Sequence, residues 1–172
     1  MKKPISILIN RSEITAGTRG ASLGPDAIRT AARSKKSRFF NEFNIVEIND
    51  QNQALDTPTT FLNARYVDAY THVFKEVSSA VKAEIASGNF PFVLAGDHGS
   101  GAATIAGIKK AFPTKRLGVI WIDAHGDLHT PYTTPSGNMH GMPLALALGE
   151  DNLECRVNQP LQKEVDYWNA LK

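Results

Sequence analysis

Short apolar runs alternate along the chain with longer segments whose apolar positions recur at helical spacing. Residues 5–9 (ISILI), 43–48 (FNIVEI), 90–95 (FPFVLA) and 117–122 (LGVIWI) are brief, rich in branched or aromatic side chains and bounded by turn formers, so they predict four strands. Between them, GPDAIRTAAR (24–33) carries Pro25 where a first helical turn tolerates it, which predicts a helix. Phe61, Ala64, Tyr66, Ala69, Tyr70, Val73, Val77, Val81 and Ile85 follow the 3.6-residue period closely enough to predict a long helix over 61–87, stopped by Gly88. A third helix is predicted from near Gly99 through AATIAGIKKAF to Pro113. The repeated strand–helix order predicts an α/β sandwich with a mainly parallel sheet, in a single domain spanning 1–172. The tail CRVNQPLQKEVDYWNALK reads as a loop and the start of a helix with no strand after it, so the sandwich is expected to be incomplete at its C-terminus.

Composition narrows the classes of function. Hydrophobic residues at 42% and charged residues at 21% are ordinary for a globular chain, and no run approaches the roughly 18 apolar residues of a membrane span. The opening MKKPISILIN has two lysines before an apolar stretch, but that stretch is short and meets Asn10 and Arg11 without a small-residue cleavage site, so a first strand is expected and not a signal peptide. Net charge is +2 with the signs interspersed; the basic cluster RSKKSR (33–38) lacks interleaved aromatics and reads as the solvated end of a helix. Neither a nucleic-acid nor a membrane partner is expected. The single cysteine, Cys155, cannot form an internal disulfide, which fits a reducing compartment and makes the cytoplasm the expected location.

Chemistry concentrates in WIDAHGDLHT (121–130). Side chains at i, i+2 and i+4 of an extended backbone share a face, so Asp123, His125 and Asp127 are expected to project together past the fourth predicted strand. His98 holds the matching place after FPFVLA, and the carboxyl ends of strands in open α/β sheets form the ligand crevice. Carboxylates and imidazoles crowded on one side repel or desolvate one another unless a cation joins them, so a metal site is expected. A nitrogen and oxygen donor set without thiolate suits manganese, zinc, iron or cobalt. Two other chemistries fare worse. Ser100 lies between glycines near a strand-to-helix turn, but a nucleophile elbow needs glycines where His98 and Ala102 stand. The glycines of AGDHGSGAA match neither a dinucleotide fingerprint nor a Walker loop.

With these residues assembled, the chain resembles the ureohydrolase family of arginases, agmatinases and formimidoylglutamases, and within it the arginases. GASLGPDAIR (20–29), AGDHG (95–99), DAHGD (123–127) and TTPSGNMHGMPLALALG (133–149) carry the resemblance in the family's order. It implies a three-layer arginase-like sandwich, a small-molecule guanidino substrate and hydrolysis of L-arginine to ornithine and urea. It also implies a binuclear manganese centre: His98, Asp123 and Asp127 on one ion, His125 with the shared Asp123 on the other, and a bridging water that attacks the guanidinium carbon. His140 would move a proton to the departing amine and, with Asp127, makes up the catalytic pair; Ser136 and Asn138 would hydrogen-bond the substrate carboxylate. Related activities on agmatine, formimidoylglutamate or another guanidino compound remain alternatives, as does an inactive chain that serves as a binding or assembly subunit.

Two departures from the family pattern qualify these expectations. Position 129 is His where arginases usually carry Asn; its imidazole can still donate to a carboxylate, so His129 is kept as substrate-binding. The later S-x-D-x-D strand, with its further ligands, has no counterpart: after Asp127 the acids are Glu150, Asp151, Glu154, Glu164 and Asp166, with no D-x-D among them. The chain therefore reads as the N-terminal portion of a ureohydrolase, expected to hold fewer metal ions or hold them more weakly, and to homo-oligomerise or associate with the absent half.

Overall fold

The computed structural model describes residues 4–172. Three strands form one parallel sheet in the order β2-β1-β3, with β1 at Ile5–Asn10, β2 at Asn44–Ile48 and β3 at Phe90–Ala95. Six α-helices accompany it: α1 (Gly24–Ser34), α2 (Phe39–Glu42), α3 (Val67–Ala86), α4 (Ser100–Ala111), α5 (Pro143–Leu148) and α6 (Gln162–Leu171).

Strand alternation sorts the layers. Leu8 pairs in register with Val93, and both pack into a core with Val73, Val77 and Val81 of α3 and Ala102 and Ala103 of α4. One residue back, Ile7 pairs with Phe92, whose ring meets Phe39 of α2 edge-on at 5.7 Å. Helices thus cover both faces of the sheet, as parallel strands require, in the three layers expected. The buried positions of α3 (Val67, Tyr70, Val73, Phe74, Val77, Val81) follow the predicted period, and α6 docks beside it through the fully buried Trp168.

Three expectations need correction. The long helix begins at Val67 and not at 61, because Tyr66 takes a left-handed conformation (φ 57°) and the Glu164 carboxyl of α6 captures the amides of Asn63 and Ala64. Residues 117–122 form no strand. They run beside β3 across a cleft of about 430 Å³ lined by Pro91, Val93, Val119 and Trp121, with no ladder between them, and Ile120 and Ile122 are about 90% exposed (89% and 93%). Branched and aromatic composition signals fitness for a pleated surface, but a strand exists only where a partner supplies hydrogen bonds, and β3 bonds β1 alone among the described residues. Nor does extended backbone continue past Ile122: residues 124–125 bend and Asp127 is left-handed, with φ 51°.

Candidate metal centre

The turn after β3 carries His98, and the bend after residue 122 carries Asp123 and Asp127. The His98 ring stands between the two carboxylates, Nδ1 3.4 Å from Asp123 Oδ2 and Nε2 3.6 Å from Asp127 Oδ2. One ligand atom from each residue lies within 4.8 Å of the others. Donors on opposite sides of a small divalent cation stand roughly 4 Å apart, twice a bond of about 2.0–2.2 Å, so this spacing fits one ion. An imidazole with two carboxylates is a donor set that takes manganese or zinc.

Local structure explains why the acids converge although the extended backbone fails. The Asp127 carbonyl accepts from the amides of Leu144 (3.0 Å) and Ala145 (3.2 Å) in the first turn of α5, and the His129 amide donates to the Gly141 carbonyl at 3.1 Å. The bend that carries Asp123 and Asp127 is thus pinned to the segment that carries His140. Trp121 Nε1 donates to Asp127 Oδ2 at 3.0 Å while its ring packs on His98, centroids 4.9 Å apart. The His125 amide, 2.8 Å from Asp123 Oδ1, is the main reason the Asp123 carboxyl sits below its ordinary range, with desolvation opposing it and the rings of His125 and His98 adding to it. Asp123 is therefore anionic at neutral pH, as a ligand must be.

His125 stands apart. Its side chain is 84% exposed and reaches only Asp123, Nδ1 to Oδ1 at 3.2 Å, outside the three-residue group. One imidazole with one shared carboxylate is too small a donor set for a second ion, so the residues present fit one cation and not two.

The remaining expected residues meet in one place. A cavity of about 790 Å³ is lined by His98, Asp123, His125 and Asp127 and, on its other wall, by His129, Ser136, Asn138 and His140. The loop 133–141 owes its shape to internal bonds. Thr134 Oγ1 accepts from Gly137 N at 3.0 Å, Ser136 Oγ accepts from Asn138 N at 3.2 Å, and Gly137 O accepts from Arg65 N at 2.8 Å. Gly137 is left-handed (φ 76°), and a β-carbon there would fall 1.9 Å from the Leu62 carbonyl oxygen, so no other residue fits. Asn138 Oδ1 is buried without a hydrogen-bond partner among the described residues. His129 Nδ1 lies 3.3 Å from Thr133 Oγ1.

Reasoning from sequence missed Trp121, Thr134 and Thr15. Trp121 shares the parity of 123, 125 and 127, a signal that was legible; Thr134 acts through Gly137 three residues on, and Thr15 only through Asp97, Gly99 and His140, remote in sequence.

Similarity to known proteins identifies the family. The Arginase family model matches residues 5–159. The arginase of Brevibacillus brevis is 42% identical over an alignment of 156 residues that covers 87% of this chain and 49% of that one. Among solved structures, native Bacillus caldovelox arginase superposes with a TM-score of 0.69 at 35% identity, covering 88% of this chain and 50% of that chain. Entamoeba histolytica arginase in complex with L-ornithine gives 0.72 at 28% identity, covering 98% and 54%. The chain spans about half the length of the curated relatives it matches. The family model matched over most of the chain, and relatives such as the Brevibacillus brevis enzyme, show that this chain belongs to the arginase family.

Proposed function

We propose that this chain provides the first metal-binding half and the substrate-carboxylate loop of a manganese-dependent hydrolase that splits L-arginine into ornithine and urea. The carrying observation is that the His98, Asp123 and Asp127 donors and the Ser136–Gly137–Asn138 loop face one cavity. The chemistry contributed by manganese held on those three donors would be to lower the pKa of water beside the guanidinium carbon. The chain's own residues supply the rest. Ser136 Oγ, Asn138 Nδ2 and the His129 ring donate to the α-carboxylate, fixing the far end of the substrate. His140, half-buried on the same wall, gives a proton to the departing amine. Asp127, held by Trp121, keeps its second oxygen as an acceptor for a water proton. His125 would turn inward to join Asp123 on a second ion once further acidic ligands are supplied.

Residues 1–172 act in this reading as one α/β domain, the N-terminal portion of the fold, in the cytoplasm, where its one cysteine, exposed Cys155, stays reduced. It pairs with another copy or with a separate C-terminal half along the open side of β3. That open side also favours a second reading, in which the chain is a binding or assembly subunit without turnover.

One assay separates them. Purified chain is loaded with manganese, freed of excess, and assayed for bound metal and urea release beside Asp123→Asn and His140→Ala. About one ion per chain, lost in Asp123→Asn and kept in His140→Ala, is expected. Urea release, where it occurs, is expected to favour L-arginine over agmatine, which lacks the carboxylate, and to vanish in both variants. Preference for agmatine would overturn the carboxylate reading; no manganese bound at millimolar concentration would overturn the metal reading.

A further inference from the structure

Thr15 is 1% exposed, lies in the loop that follows β1, and had no role in the expected site. Its polar groups reach three partners. Its amide donates to Asp97 Oδ2 at 2.8 Å, and its Oγ1 accepts from the Gly99 amide at 3.2 Å, so it grips the residues on either side of His98. Its carbonyl accepts from the His140 amide at 3.0 Å. The grip on the His98 turn is close: a β-carbon on Gly99 would stand 2.4 Å from Thr15 Cγ2, and the Gly99 carbonyl is held from behind by the Tyr70 hydroxyl at 2.8 Å. Upstream, the same loop is fixed by Asn10, whose Nδ2 donates to Ser100 Oγ at 2.8 Å and whose Oδ1 accepts from Ser12 N at 3.1 Å.

We infer that Thr15 is a positioning residue that couples the His98 turn to the His140 segment, setting the distance between the metal-binding wall and the proton-donating wall of the cavity. The two walls come from segments some forty residues apart; the bonds of Leu144 and Ala145 to Asp127 and of His129 to Gly141 tie the Asp127 bend to the His140 segment, but none of them includes the His98 turn, which Thr15 joins to it. Thr15 touches both sides with groups that are buried from water, where a hydrogen bond is stronger and a vacated partner costs more. This inference rests on the proposed function, since the distance matters only if His98 binds metal and His140 acts on substrate.

The test uses the whole chain with Thr15→Val, which keeps the shape and both backbone bonds but removes the acceptor for Gly99, and Thr15→Ser, which restores it. Amide hydrogen exchange without metal is read at Gly99 and His140; manganese affinity is read through Trp121 fluorescence. In Thr15→Val, exchange at both amides is expected to quicken and manganese affinity to fall roughly tenfold, the usual loss when a partner behind a ligand is removed. In Thr15→Ser both are expected to return to parental values, which a merely space-filling role for Thr15 would not produce. Unchanged exchange at His140 in Thr15→Val, or failure of Thr15→Ser to restore it, would overturn the coupling. If the parent itself binds no manganese, the proposed function fails while the exchange measurement still decides the role of Thr15. If Thr15→Val does not fold, Thr15→Ser measured against Thr15→Ala decides, with the same amides as readout.

Discussion

At the scale of single residues, buried carboxyls organise the loops around the site. Glu13, its side chain 2% exposed, accepts from the amides of Gly20 (2.8 Å) and Ser22 (2.9 Å) and meets Arg19 at 3.5 Å. Burial alone would raise its pKa; the Ser22 and Gly20 amides, the Ser22 hydroxyl and Arg19 outweigh it and hold the carboxyl below the usual range. A carboxyl lowered on folding stabilises the native state above its unfolded pKa, and that contribution disappears as pH falls through the folded value. Glu13→Gln is therefore expected to cost about 2 kcal/mol at pH 7, in line with hydrogen bonds to a charged group. The gap should narrow under acid, between the ordinary carboxylate pKa and lower pH, as the parent loses the same charge. Urea denaturation of both proteins at pH 7 and pH 3 measures it; a gap of equal size at both would show that the charge contributes nothing. Gly137→Ala tests the neighbouring constraint. With φ at 76° and the Leu62 carbonyl in the way, it is expected to destabilise by about 1–3 kcal/mol and to weaken carboxylate binding, and an unaltered melting temperature would contradict that.

At the scale of elements, α6 braces the 133–141 loop from outside. The Glu164 carboxyl, fully buried, accepts from Leu161 N (2.7 Å), Asn63 N (2.7 Å) and Ala64 N (3.0 Å), and the next residue, Arg65, holds the Gly137 carbonyl. Glu164→Gln turns one acceptor oxygen into a donor facing other donors, so it is expected to cost about 1–3 kcal/mol and to speed amide exchange at Asn63 and Ala64 while leaving the His98 turn protected. Exchange changes confined to 161–172 would refute the brace. The sequence made much of this level legible. Three of four strands, the Pro25 helix, the helix after Gly99 and the start of a terminal helix all appear where periodicity placed them, because each carries its own local signal. The site was legible in part: alternation pointed to Asp123, His125 and Asp127 together on an extended backbone, whereas His125 turns out to solvent, and a left-handed turn at Asp127 with its carbonyl bonds to α5 brings Asp123 and Asp127 to His98. What stayed hidden depends on contacts across the chain. The Glu164 bonds that hold 63 and 64 out of α3 span about a hundred residues, and the pairing that 117–122 lacks is a property of its neighbours and not of its own composition.

At the scale of the whole molecule, the unpaired side of β3 and the segment beside it decide how the chain behaves in solution. Leu117, Val119, Ile120 and Ile122 are 40%, 47%, 89% and 93% exposed, next to the outer edge of β3 with Phe90 at 56%. A free parallel-sheet edge beside exposed branched side chains is a template for another strand, and β3 carries no charged residue to blunt it; its one safeguard is Pro91, which removes a single donor. The covered faces of the sheet cannot compensate, because the exposure lies in the plane of the sheet and only a further strand satisfies it. Concentration-dependent association is therefore expected across the micromolar range, and Ile120→Lys with Ile122→Lys should shift it toward monomer while leaving the core of Leu8, Val77 and Trp168 intact. Light scattering and the thermal melt together decide: a parent that stays monomeric throughout would place the edge outside any assembly. Variants that associate as the parent does would put the contact on another face.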